Sequence, residues 1–109
     1  MRFYKNLWVS ENAAGKKFQI IWKLKHFRPQ SDVYVLVLAD TPHDLIHIYP
    51  AKEFQQPYYK KRHRDLFVIG IAYTRPEALE LARRIVDEVY QKTGDCDIGA
   101  YIRNRTDTP

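Results

Sequence analysis

Apolar residues along this chain fall into two kinds of run, one continuous and one spaced by three or four positions. The continuous runs are Val33-Tyr34-Val35-Leu36-Val37-Leu38-Ala39 and Leu66-Phe67-Val68-Ile69-Gly70-Ile71-Ala72. Neither alternates with polar residues, which predicts central strands of one sheet, covered on both faces. Phe3, Tyr4, Leu7, Trp8 and Val9 predict a further strand over residues 3–9, broken by Ser10-Glu11-Asn12.

The spaced runs predict helices. Phe18, Ile20, Ile21, Trp22, Leu24 and Phe27 give a helix from Ala13 to Phe27 with a broad buried face, Lys16, Gln19, Lys23 and His26 lying opposite. Pro29 ends it. Thr74-Arg75-Pro76-Glu77 reads as a capping box, in which the Thr hydroxyl satisfies one orphan amide and Glu77 reaches back to another. Pro76 suits the first turn, and Gly94 supplies the stop. Leu79, Ala82, Ile85, Val86 and Val89 form the expected buried stripe. Ile98, Tyr101 and Ile102 favour a short helix over a strand built on Ile98, Ala100 and Ile102.

Residues 41–65 are less regular. Thr41-Pro42-His43-Asp44 suits a capped turn, and Leu45 to Tyr49 suits either that turn or a short edge strand. Pro50 opens a helix through Ala51, Phe54 and Gln55, which Pro57 interrupts before a turn at Tyr58-Tyr59-Lys60. The resulting β-α-β-α-β-α order predicts an α/β class domain. It would be small and single, with a mostly parallel sheet of three to four strands flanked by helices and joined by right-handed crossovers. Residues 1–103 form that domain and 104–109 a frayed tail; 109 residues can enclose one core unaided.

Composition narrows the setting. The single cysteine, Cys96, cannot form an intrachain disulfide and has no nucleophile motif around it. No apolar stretch approaches the roughly 20 residues that span a bilayer, and the first residues lack a signal peptide's apolar run. These features point to a cytoplasmic protein with no membrane partner. The net charge of +5 favours an anionic partner, either nucleic acid or an acidic protein.

A parallel sheet would bring Ser10–Lys17, Asp40–Asp44 and Tyr73–Pro76 to one edge, where open α/β sheets bind ligands and helix N-termini favour anions. Ser10, Lys16, Asp40, Thr41, Thr74 and Arg75 are therefore the candidate ligand edge. In an enzyme or nucleotide-responsive domain, Asp40 would serve as base and Lys16 and Arg75 as anion clamps. The plainer role of Thr41 and Thr74 is to cap helices. Ser10 to Lys17 falls near the phosphate-cradling pattern G-x-x-x-x-G-K-[ST]. It departs where Ser10 replaces the first glycine and Lys17 the metal-binding hydroxyl, and Glu11 adds unwelcome negative charge.

His43 and His47 stand four apart, as zinc ligands on a helix do, but no third ligand is evident and prolines leave little room for a helix. No metal or other cofactor is expected. Tyr58, Tyr59, Lys60, Lys61, Arg62 and Arg64 interleave aromatic and basic groups in a way that suits phosphates and bases, or simply a solvated loop. Lys16, Lys17, Lys23, Lys25 and Arg28 add a second positive region. Glu77, Glu80, Asp87 and Glu88 interleave with Arg83 and Arg84, as on a solvated helix. Catalytic constellations are missing, so the expectation is a non-catalytic binding or accessory module with a basic, tyrosine-rich surface. Trp8 or Tyr58-Tyr59, with the sheet's edge strands, also offers a route to a homodimer.

Overall fold

A computed structural model describes residues 2–26, 28, 32–38, 46–52, 67–94 and 97–106. The chain runs β1 (Arg2–Val9), α1 (Glu11–Ala14), α2 (Lys17–Lys25), β2 (Val33–Leu38), β3 (Ile46–Pro50), β4 (Phe67–Tyr73), α3 (Arg75–Thr93) and α4 (Ile98–Thr106). The four strands form one sheet in the order β1-β4-β2-β3. This is a small α/β domain, as the pattern predicts.

The sheet is mixed rather than mostly parallel. β1 lies parallel to β4, but β2 runs antiparallel to both β4 and β3. The cause lies in the segment expected to be one helix. A helix of 15 residues would carry the chain about 22 Å, far enough to cross the sheet. Instead the helix breaks at Gly15–Lys16 into pieces of 4 and 9 residues. The chain then enters β2 beside Tyr73, at the edge where β1 and β4 end. Leu38, the last residue of β2, accordingly pairs with Phe67 and Ile46, the first residues of β4 and β3.

The two continuous apolar runs are the central strands, and both of their faces are buried. Val35, Leu36 and Val37 on β2, and Val68, Ile69, Ile71 and Ala72 on β4, have essentially no accessible surface. Leu36 lies across the ladder from Gly70. A Cβ on Gly70 would come 3.2 Å from the Trp8 carbonyl oxygen and 3.3 Å from Leu81 Cδ2, so the missing side chain is what lets α3 lie on the sheet. Residues 46–50 resolve as an edge strand, which Pro50 closes.

α3 begins on Thr74, whose hydroxyl accepts the Glu77 amide. The other half of the expected capping box differs. The Glu77 carboxylate accepts from the Thr74 hydroxyl (3.2 Å), because the Thr74 amide already donates to the Asp32 carbonyl (3.1 Å). Gly94 ends the helix in the left-handed conformation, φ 71°. Ala78, Leu81, Ile85 and Val89 are buried, whereas Leu79 and Val86 of the expected stripe are exposed and Ala82 is half-buried. Two adjacent apolar rows share this helix; the gap over Gly70 admits the row that carries Leu81. α4 starts on Asp97, whose carboxylate accepts the Ala100 amide, and buries Ile98, Tyr101 and Ile102. It continues to Thr106, into the segment expected to fray, and 107–109 lie outside the described residues.

On α2 only Ile20 and Leu24 are fully buried, Ile21 is half-buried, and Phe27 lies outside the described residues. Phe18 is 82% exposed and Trp22 50% exposed. At 3.6 residues per turn the predicted apolar set encircles most of the helix, so the sheet can take only one side of it.

Candidate functional site

Ser10 follows β1 and Thr74 follows β4, and these strands are parallel neighbours, so the two residues share an edge. β2 ends at the opposite edge, with Leu38 beside Phe67. Asp40, Thr41 and His43 themselves lie outside the described residues. A cleft of about 210 Å³ opens at the Ser10 edge between Ser10, Glu11 and Asn12 on one side and Glu77, Glu80 and Arg84 of α3 on the other. Lys16, Thr74 and Arg75 do not line it.

The cleft carries more negative than positive charge, the reverse of an anion site. Two of its carboxylates are already engaged. Glu77 accepts from Thr74, and Glu80 holds Arg83 through two bonds of 2.6 and 3.1 Å. Hydrogen bonding to Arg83 keeps the Glu80 carboxyl below its ordinary range, and the same bond raises the Arg83 pKa. Ser10 is 5% exposed, and its Oγ is buried without a hydrogen-bond partner. Among the described residues no histidine lines the cleft. Residues 11–14 are helical and Gly15 is right-handed (φ −68°, ψ −16°), so the Ser10–Lys17 segment is not wrapped as a phosphate cradle.

The same edge holds the backbone's two non-glycine residues of positive φ among those described, Asp32 (63°) and Thr74 (57°). Thr74 pairs that φ with ψ 151°, a region that β-branched residues rarely occupy. The amide-to-carbonyl bond between Thr74 and Asp32 ties the start of β2 to the start of α3.

The second site is the outward side of α2. Ile20 and Leu24 face the core, and Phe18, Trp22 and His26 follow one another at four-residue spacing on the opposite side. The His26 ring stacks on Trp22 with centroids 4.3 Å apart and 24° between planes. Its Nδ1–H donates to the Trp22 carbonyl at 2.8 Å, which fixes the ring at the helix end. Lys17 Nζ lies 5.8 Å from the Phe18 centroid, and Lys25 Nζ lies 5.5 Å from that of Phe3. Lys17 and Lys23 are half-buried along their stems, while Lys16, Lys25 and Arg28 are exposed.

The charge of this segment is one-sided. Residues 12–31 contain Lys16, Lys17, Lys23, Lys25 and Arg28 and no aspartate or glutamate. Of the 18 lysines and arginines in the chain, the remaining 13 are balanced by the 13 acidic residues, so this segment accounts for the net +5. The sequence shows the cations; that Phe18 and Trp22 stand among them depends on which side of α2 the sheet covers.

Other candidates lie elsewhere. Tyr58, Tyr59, Lys60, Lys61, Arg62 and Arg64 fall outside the described residues, as does Cys96. His47 is exposed on strand β3, where its ring lies 6.1 Å from that of Tyr49, so it is not on a helix as a His43–His47 zinc pair would require. Trp8, a candidate for self-association, is half-buried with its ring 5.3 Å from buried Tyr4. Among the described residues no cluster of three or more metal-ligating side chains occurs, and no helix is long and apolar enough to cross a membrane. No known protein family, curated protein or solved structure matches the chain.

Proposed function

We propose that this chain is a non-catalytic binding module whose partner is nucleic acid, engaged through the outward side of α2. The observation that carries the proposal is the exposed pair Phe18 and Trp22, set in a segment that holds five cations and no carboxylate. Lysines supply sequence-independent attraction to phosphates, and exposed rings supply surfaces on which bases stack. An acidic protein would satisfy the charge and could bury both rings at its interface; it is the alternative partner.

Fluorescence anisotropy with labelled RNA and DNA at two salt concentrations tests it. Binding should weaken as salt rises, with a slope of about −0.7 to −0.9 in log K against log salt for each phosphate neutralised. The triple substitution Lys16→Gln, Lys23→Gln, Lys25→Gln should weaken binding and flatten that slope. Absence of salt-sensitive binding to either nucleic acid would remove the proposal.

The cleft beside Ser10 supports a second function, a small-ligand site at the strand ends. Its favouring observation is the buried, unpartnered Ser10 hydroxyl. The lining charge suits a ligand bearing an ammonium group better than a phosphate. A thermal-shift screen of small amines against small anions tests that preference; no shift with either class counts against the site.

A further inference from the structure

We infer that the α2 face selects unpaired over paired strands, with Phe18 and Trp22 each receiving the face of one base. The inference rests on the nucleic-acid function proposed above and names its ligand. Phe18 and Trp22 occupy positions i and i+4, about one helical turn apart, so their backbone positions are separated by about 6 Å along the axis. Bases within one strand of a duplex repeat every 3.4 Å, about half that distance, and their faces are covered by one another. A duplex offers the protein base edges in its grooves, which are read by hydrogen-bonding side chains. The outward side of α2 offers rings set among lysines, with Gln19 as its neutral hydrogen-bonding side chain. An unpaired strand can splay two successive bases to match the longer spacing, because each base then has a free π-face.

The surroundings of the rings fit that ligand. His26 covers part of Trp22, with centroids 4.3 Å apart, and holds the indole against the helix end, so the platform is preformed. The Lys17 ammonium near Phe18 is placed to exchange the ring for a phosphate when a base takes the ring. Lys25 and Lys16 are exposed near the two ends of the helix, where a backbone running along the aromatic row would pass. Charge complementarity thus commits the site to a polyanion, and the two exposed rings suit the free base faces of a single strand.

The test compares labelled oligouridylate or oligothymidylate with a duplex of equal length at one salt concentration, using the whole chain. The single strand should bind at least about tenfold more tightly. Phe18→Leu, which keeps apolar bulk but removes the π-face, should weaken single-strand binding by about five- to hundredfold. Phe18→Tyr should restore it, and neither should alter the salt slope. Trp22 emission, read in a Trp8→Phe background, should be quenched by the single strand. Equal affinity for duplex and single strand, or an unchanged affinity in Phe18→Leu, would overturn the selection while leaving the broader proposal standing. No binding to either would overturn both.

Discussion

α2 and α3 each expose an apolar row, and the contrast between the rows shows which kind of exposure points to a partner. On α3, Leu79, Val86 and Tyr90 face solvent on a helix with four basic residues, Arg75, Arg83, Arg84 and Lys92. These are matched by four acidic ones, Glu77, Glu80, Asp87 and Glu88, and Arg83 is tied to Glu80 by a bidentate ion pair. Such a surface is balanced within itself. On α2 the exposed Phe18 and Trp22 have only cations for charged neighbours within their own segment. Isolated apolar groups at a surface are ordinary. An apolar row whose charges lack counter-charges is incomplete until an anion joins it.

The helices also differ in attachment, and the largest expected effect follows from that. α3 inserts four fully buried residues and α2 two. Ile85→Ala should destabilise the domain by about 3–5 kcal/mol, and Leu24→Ala by about 2–3 kcal/mol, read from denaturation midpoints at constant slope. An equal or larger loss at Leu24 would make α2 as integral to the core as α3 and erase the contrast. Next in size is Gly70→Ala, which should cost about 1–3 kcal/mol by pushing Leu81 off a backbone that cannot recede.

The α3 start gives a smaller and more diagnostic difference. Thr74→Ala loses the cap and keeps the positive φ, so it should destabilise by about 1 kcal/mol or more. Thr74→Gly loses the same hydroxyl but relieves the backbone, and should be the more stable of the two by about 1–2 kcal/mol. Reversed ranking in thermal melts would mean that the hydroxyl matters more than the torsion. The smallest stability effects sharpen the comparison most. Phe18→Ala and Leu79→Ala should each shift stability by less than about 0.5 kcal/mol. Only Phe18→Ala should change oligonucleotide affinity; an equal loss from Leu79→Ala would move the binding surface onto α3.

Much of this architecture is legible in the residues. The unbroken apolar runs of β2 and β4 announce burial on both faces, and Thr74, Pro76 and Gly94 bound α3 closely. What escapes is anything that depends on direction or rotation. Alternating strands and helices look parallel until the break at Gly15–Lys16 is known, since one pattern of apolar spacing serves a straight helix or two short ones. Leu79 and Leu81 are equally apolar, and only the space above Gly70 decides which is buried. The candidate site was half legible for the same reason. Lys16, Lys17, Lys23, Lys25 and Arg28 can be counted, but Phe18 and Trp22 resemble core residues until the sheet has taken Ile20 and Leu24.

The strand order carries a consequence for how the domain is made. β4 joins β1 to β2, yet among the described strands it comes last in the chain. The β2–β3 pair can close locally as soon as both strands have been synthesised. β1, which precedes them both, pairs with Phe67–Tyr73 much later in the chain, and parallel pairing over so long an interval is slow. During that wait β1 and one side of β2 are open edges rich in Val, Leu, Tyr and Trp, the condition under which nascent chains pair with one another. Addition of β4 therefore covers the inner edges of β1 and β2 in a single event.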